Sequence, residues 1–265
     1  MRPAAVRHRA EAAQLLREAE RRTAPVEPLS MTWPALDLAD AYAYAVQQDN
    51  ITRRLATGAT VIGHKAGLIS APMQQLLGVH EPDFGHLLDD MVHRDGGTVS
   101  AARYCAPRVE PEICFRLARP LCGPGVTTAD VLAATEAVAP ALEIVDSRVR
   151  DWQITLVDTF ADNAGSAGLV CGSWTPLEHA PDLAAVTVDL LIDGNKVATG
   201  GGKEVLGHPA TAVAWPADAL ATHGAALDAE HAILPGAMTT APLLGAGRNA
   251  EARFGALGSV SVSFV

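Results

Sequence analysis

The sequence predicts an α+β fold, with an α-rich N-terminal portion over residues 1–75 and a β-rich core over 76–265. Three observations carry that reading. Residues 4–22 place Ala12, Leu15, Leu16 and Ala19 at helical spacing. Beyond residue 76, short apolar runs are punctuated by carboxylates and bounded by turn residues, as in "RVEPEICFRL" and "PALEIVDSR". In "VTVDLLIDGNKVATG" an Asp-Gly pair separates two β-prone runs, the signal of a hairpin.

Each element follows from local chemistry. After the first helix, "TAPVEPLSMTWP" reads as an extended, proline-punctuated connection. A second helix runs from Leu38 to about Thr57, with Asp37 as a candidate N-cap. "ATVIGHKAGL" reads as a short strand entering a glycine turn, and "RVEPEICFRL" as a strand. "ADVLAATEAVAPAL" reads as a helix with Asp130 near its start, and "LEIVDSR" opens another short strand. "HPATAVAWPADALATHG" reads as a helix interrupted at Pro216 and closed by Gly224. In the closing "LGSVSVSFV", Val260, Val262 and Phe264 alternate with serines, as in a half-buried strand.

At 265 residues, 49% of them hydrophobic, the chain has material for a sizeable core. A net charge of −10 with no basic run argues against nucleic acid as a general partner. No stretch has the length and apolarity of a membrane span. The first residues lack an apolar signal core, and Glu11, Glu18 and Glu20 argue against a transit peptide. Four cysteines without CxxC spacing fit reduced thiols, so the expected setting is the cytoplasm.

The chemistry begins on "RVEPEICFRL". In a strand Val109, Ile113 and Phe115 share one face, and Glu110 and Glu112 the other. Two like charges on one face require water, cationic side chains or a metal ion to offset them. Glu143 punctuates a second apolar segment, and three carboxylates suit a hard divalent cation. Solvent-facing acids on an edge strand are the alternative. Lys65 lies beside glycines in an apolar setting, where desolvation lowers a lysine pKa, or else is a surface lysine at a turn. His64 is a titratable neighbour or a structural histidine. Asp83 either braces the turn after Pro82 or sets the protonation state of a lysine. "VDTFADNAGSAG" gathers Asp158, Asp162, Asn163 and Ser166, as in a polar loop lining a cavity or a turn with Asx hydrogen bonds. "TGGGKEVLG" matches neither a phosphate loop nor a dinucleotide fingerprint.

Taken in order, "IGHKAGL", "LGVHEPDFGHLLDDM", "PRVEPEICF", "PALEIVDSRVRDWQITLVDTFADNAGS", "GKEVLGHPATAVAW", "LPGAM" and "LGSVSVSF" resemble the hydratase/decarboxylase branch of the fumarylacetoacetate hydrolase superfamily. Within it the chain is most similar to the 2-hydroxypenta-2,4-dienoate hydratases of aromatic and steroid ring degradation. The resemblance implies a mixed β-sandwich roll, bound Mg²⁺ or Mn²⁺, homo-oligomers and room for a complex with a pathway enzyme. It implies metal ligands at Glu110, Glu112 and Glu143, proton handling by Lys65 and Asp83, and substrate contacts from Ser166, Asn163 and His64. The implied reaction adds water to a 2-hydroxydienoate to give a 4-hydroxy-2-oxoalkanoate. Rival readings are a 2-oxo-3-enedioate decarboxylase, an acylpyruvate hydrolase and a non-catalytic subunit. Asp83 favours the hydratase over the decarboxylase, no water-activating His–Glu pair is present for the hydrolase, and a scaffold has no use for five such residues. The chain departs from the family pattern at Ile69 in place of Thr, at Gly165 in place of Ser, and at "GRN" over Gly247–Asn249.

Overall fold

The computed structural model describes residues 3–33, 40–69 and 82–265. Helix α1 (Pro3–Arg22) has the expected spacing: Ala12, Leu16 and Ala19 are buried, while Leu15 turns outward. The connection expected to be extended instead closes into one helical turn, α2 (Leu29–Thr32). There the Met31, Thr32 and Trp33 amides donate back to the carbonyls of Pro28 and Leu29. Helix α3 (Asp40–Ala56) is the second expected helix, and the candidate cap Asp37 lies outside the described residues.

Strands β1 (Val61–Gly67) and β2 (Asp83–Leu88) pair antiparallel, with Lys65 opposite Gly85 and Gly67 opposite Asp83. Short strands β3 (Val92–Arg94) and β4 (Gly97–Val99) precede β5 (Arg108–Leu117), the strand read from "RVEPEICFRL". Helix α4 (Thr128–Ala134) opens on a capping box between Thr127 and Asp130, and the chain then turns directly into β6 (Thr135–Val145). The helix expected through Leu142 is therefore cut short. Pro140 lacks the N–H that a helix interior needs. The strand is buried on both faces from Ala137 onward, so no period of two marks it in the sequence.

Helix α5 (Leu156–Ala161) leads to β7 (Ser166–Cys171) and β8 (Thr175–Pro176). The expected hairpin is β9 (Thr187–Ile192) with β10 (Asn195–Gly201), and Asp193 and Gly194 take φ 50° and 78° between them. Helix α6 (Pro209–Ala221) runs unbroken through Pro216, contrary to expectation. His208 caps its start, and burial of Ala212, Val213, Ala217 and Leu220 holds it although the proline removes one backbone bond. It closes as expected at Gly224 (φ 72°), with Ala225 N–H donating to Leu220 and Gly224 N–H to Ala221. Strands β11 (Ala232–Leu234), β12 (Asn249–Arg253) and β13 (Ser259–Phe264) complete the order.

Among the described residues the strands form two sheets. The larger has the order β2-β1-β11-β5-β6-β7-β3, with β8 on β6, and the smaller β10-β9-β12-β13-β4. Both mix orientations: β1 runs parallel to β11, β3 to β7 and β4 to β13, the other pairs antiparallel. One face of the larger sheet carries Val109, Ile113 and Phe115 from β5 with Val138, Leu142 and Ile144 from β6. These share one core with Val188, Leu190, Ala250, Val260 and Val262 of the smaller sheet. Each valine, leucine, isoleucine or phenylalanine among them contributes roughly 1.5–3 kcal/mol of burial. The other face carries the carboxylates of β5 and β6, above a separate small cluster of Leu87, Cys114, Ala141, Leu169 and Leu234.

Strand β2 ends the larger sheet, and its open edge is covered. The Asn163 side chain accepts from the His86 N–H at 2.8 Å and donates to the His86 carbonyl at 2.9 Å. Gln47 of α3 donates to the Phe84 carbonyl at 3.1 Å. Asn163 sits in the turn leading into β7, so the sheet curls until its first strand meets the approach to its sixth. The architecture is an α+β roll of mixed sheets, with α1, α3 and α5 packed in one group and α4 against α6 in another.

Candidate active site

The β5–β6 register sets Glu110 directly opposite Glu143, with Glu112 two residue pairs further along, opposite Ala141 and on the same face. A ligand atom from each of the three lies within 4.8 Å of the others. Glu112 and Glu143 are fully buried and Glu110 is half-buried. One Glu112 oxygen accepts the Gly236 N–H at 2.7 Å; the other, and both Glu143 oxygens, have no hydrogen-bond partner. The cation beside them is Lys65, with Nζ 3.6 Å from Glu143. One ammonium cannot offset three clustered carboxylates: burial, then repulsion from Asp83 on Glu110, from Glu143 and Glu110 on Glu112 and from Glu110 on Glu143, pushes all three upward, Glu143 to about 8 and Glu112 well above the carboxylate range. Orphaned, convergent carboxylate oxygens are the donor set of a hard divalent cation, and the three residues fit one.

Lys65 and Asp83 reach the same face from β1 and β2. Gly67 stands between them: a Cβ there would lie 2.3 Å from Asp83 Oδ1 and 3.0 Å from Lys65 Nζ, so only glycine leaves room for both groups. Asp83 Oδ2 accepts the Thr159 hydroxyl at 2.7 Å, while Oδ1 has no hydrogen-bond partner. Burial raises the Asp83 carboxyl, countered in part by Lys65 and Thr159. Lys65 departs from expectation. Burial alone would lower it, but Glu143, then Asp83, Glu110 and Glu112, outweigh that and raise it. The lysine enters the site charged, held by the carboxylates.

The remaining candidates divide. Ser166 opens β7 at a bulge where Val145 pairs with Ser166 and Ile144 with Gly168. Its hydroxyl is buried, has no fixed hydrogen-bond partner and is one of the groups acting on Glu143. Asn163 has its carbonyl and amide ends committed to the His86 backbone. His64 is not brought to the cluster. It follows Gly63 and precedes Lys65 on a pleated strand, so it points to the opposite face, where its ring lies 4.9 Å from His86 and 5.6 Å from His231. Asp158 and Asp162 follow the turn reading: Asp158 caps α5 with Thr155 and holds Ser30, and Asp162 pairs with buried Arg148.

Sequence reasoning missed Thr159, Gly67, Gly85 and Gly236. Gly85 passes under the Asn163 carbonyl, which a Cβ would approach to 2.3 Å. Gly236 takes φ 119° and packs on Ile69, so the "LPGAM" turn aims its N–H at Glu112. A glycine turn facing an acid-bearing strand was the one available signal. The glycine replacing serine, Gly165, ends a left-handed run, with Asn163, Ala164 and Gly165 at φ 56°, 53° and 70°.

Residues 57–265 match the family model "Fumarylacetoacetate (FAA) hydrolase C-terminal". The chain is 42% identical over 253 residues to a 2-hydroxyhexa-2,4-dienoate hydratase of Comamonas testosteroni, covering 95% of each. It is 42% identical over 256 residues to a 2-keto-4-pentenoate hydratase of Paraburkholderia xenovorans, covering 97% of this chain and 94% of the relative. The solved 4-oxalocrotonate decarboxylase from Pseudomonas putida G7, complexed with magnesium and adipate, superposes with a TM-score of 0.93 at 33% identity, covering 98% of both chains. Two-sheet roll, convergent acid trio and near full-length similarity agree, and the chain belongs to the fumarylacetoacetate hydrolase family, beside its dienoate hydratases.

Proposed function

We propose that the chain is a divalent-metal-dependent hydro-lyase that adds water to 2-hydroxypenta-2,4-dienoate or a homologue, giving a 4-hydroxy-2-oxoalkanoate. The observation that carries this reading is the placement of Lys65 and Asp83 around Gly67, beside three convergent glutamates, with one Glu112 oxygen and both Glu143 oxygens buried without partners. The curated hydratase relatives support it. Glu110, Glu112 and Glu143 would hold Mg²⁺ or Mn²⁺, which when bound supplies Lewis acidity to an oxygen-rich substrate head.

The chain's own residues handle protons. The 2-hydroxyl proton leaves and a proton is delivered to C5, relayed by Lys65 and Asp83, so that the dienol becomes a 2-oxo-3-enoate. Water then adds across C3=C4, its hydroxyl to C4 and a proton to C3. Charged Lys65 offsets the negative charge that develops as water attacks. Ser166, facing Glu143, is assigned to substrate binding; Asn163 and His64 are assigned to the scaffold. The homo-oligomer and any complex with a pathway enzyme remain part of this proposal.

The test is an ultraviolet assay of fresh 2-hydroxypenta-2,4-dienoate with Mg²⁺, with and without chelator. Loss of the dienol to 4-hydroxy-2-oxopentanoate only when metal is present is the expected result. Release of CO₂ from a 2-oxo-3-enedioate, with no hydration of the dienoate, would overturn it in favour of a decarboxylase, the activity named for the neighbour with magnesium and adipate.

A further inference from the structure

We propose that Thr159 is the positioning residue of the proton relay, fixing which oxygen of Asp83 is offered to Lys65 and the substrate. The proposal rests on the reading of Lys65 and Asp83 given above. Thr159 is 5% exposed and lies in the middle of α5. A helical threonine commonly turns its hydroxyl back to the carbonyl three or four residues earlier. Here the hydroxyl leaves the helix and donates to Asp83 Oδ2 across the boundary between α5 and β2, at 2.7 Å. With Oδ2 held, Asp83 Oδ1 is left without a partner, beside Gly67 and on the side of Lys65.

The position of α5 is itself imposed from both ends. Six residues are too few to stabilise a helix alone. At its start Asp158 accepts from Thr155, and from the backbone and hydroxyl of Ser30 at 3.1 and 2.8 Å. Beyond its end Asp162 accepts from Arg148 Nε at 2.6 Å. Between these clamps α5 turns two consecutive residues onto β2: Thr159 meets Asp83, and Phe160 meets Phe84 edge-on at 5.1 Å. The apolar contact sets the height of β2 against the helix, and the hydrogen bond sets the rotation of the carboxylate. Proton transfer demands hydrogen-bond reach and alignment, and a carboxylate free to rotate spends most of its time misaligned.

The experiment compares Thr159→Val, Thr159→Ser and Asp83→Asn in the full chain with saturating Mg²⁺ and 2-hydroxypenta-2,4-dienoate. Valine keeps the shape and removes the donor. The expected result is a fall in kcat of about ten- to a hundredfold in Thr159→Val, with KM and Mg²⁺ affinity within about twofold, and recovery of most of the kcat in Thr159→Ser. Added to Asp83→Asn, Thr159→Val should cause no further loss of kcat, which a merely structural residue would not satisfy. A kcat in Thr159→Val within about twofold of the parent, a serine no better than valine, or additive losses would overturn the proposal. If Thr159→Val does not fold, Thr159→Ala takes its place under the same criteria. Full activity in Asp83→Asn would instead overturn the reading of Asp83, and this proposal with it. Loss in Asp83→Asn with none in Thr159→Val overturns this proposal alone.

Discussion

Glu112 has one oxygen on the Gly236 N–H and the other without a partner. Glu112→Gln preserves shape while removing a carboxyl that the metal-free fold keeps protonated and that a bound cation would need ionised. Mg²⁺ affinity, measured by calorimetry, is expected to fall at least about tenfold, and the metal-free protein to melt higher near neutral pH, because folding no longer has to neutralise a carboxylate that the unfolded chain ionises. Retained affinity would remove Glu112 from the ligand set. At Gly165 the backbone is left-handed (φ 70°), and a Cβ would stand 3.3 Å from the Asp146 carbonyl. Gly165→Ser is expected to cost about 1–2 kcal/mol in urea unfolding. The acids, Lys65 and Asp83 were legible because strand parity and motif order suffice to place them. His64 and Asn163 were not: a neighbour in sequence is on the opposite face of a strand, and which group an amide bonds is decided by the fold.

At the scale of elements, the covered edge of β2 gives a separate test. Asn163→Ala leaves the His86 N–H and carbonyl without their partner. The expected cost is about 1–3 kcal/mol, seen in denaturant unfolding and as faster hydrogen exchange at His86, with KM little changed where the protein stays folded. A raised KM at unchanged stability would return Asn163 to the substrate. Most elements could be read from the sequence because hairpin, caps and amphipathic spacing are local. The miss at β6 has a definite cause: both of its faces are covered, so the alternation that betrays β5 is absent. The Pro216 miss is similar, since burial around α6 is non-local and outweighs the missing backbone bond.

For the whole molecule, the buried acids link metal, proton and stability. Glu143 titrates near 4.5 when exposed and at about 8 in the metal-free fold, raised by burial and by Glu110. Between those values the folded chain holds a proton that the unfolded chain has released. Stability of the chelated protein therefore falls as pH rises from about 4.5 to about 8, and Glu112 adds in the same sense. Bound Mg²⁺ replaces that proton, so the gap in melting temperature between loaded and chelated protein is expected to widen from pH 5 to pH 8. A gap independent of pH would place the metal elsewhere. Among the described residues no helix is long and apolar enough to cross a membrane.

Strand β5 gives Val109, Ile113, Phe115 and Leu117 to the core and Glu110 and Glu112, of opposite parity, to the site, and this makes its length a reading frame. Inserting one residue before Glu110 would exchange the two sets, sending carboxylates into the hydrophobic interior and Phe115 toward Glu143 and Lys65. Inserting two would restore the faces but carry both glutamates about 7 Å along the strand, away from Glu143. Neither change is graded, so the strand cannot be tuned by small steps in length. Segments outside that frame, such as those bearing Ile69 and Gly165, can change without exchanging the two faces of the strand.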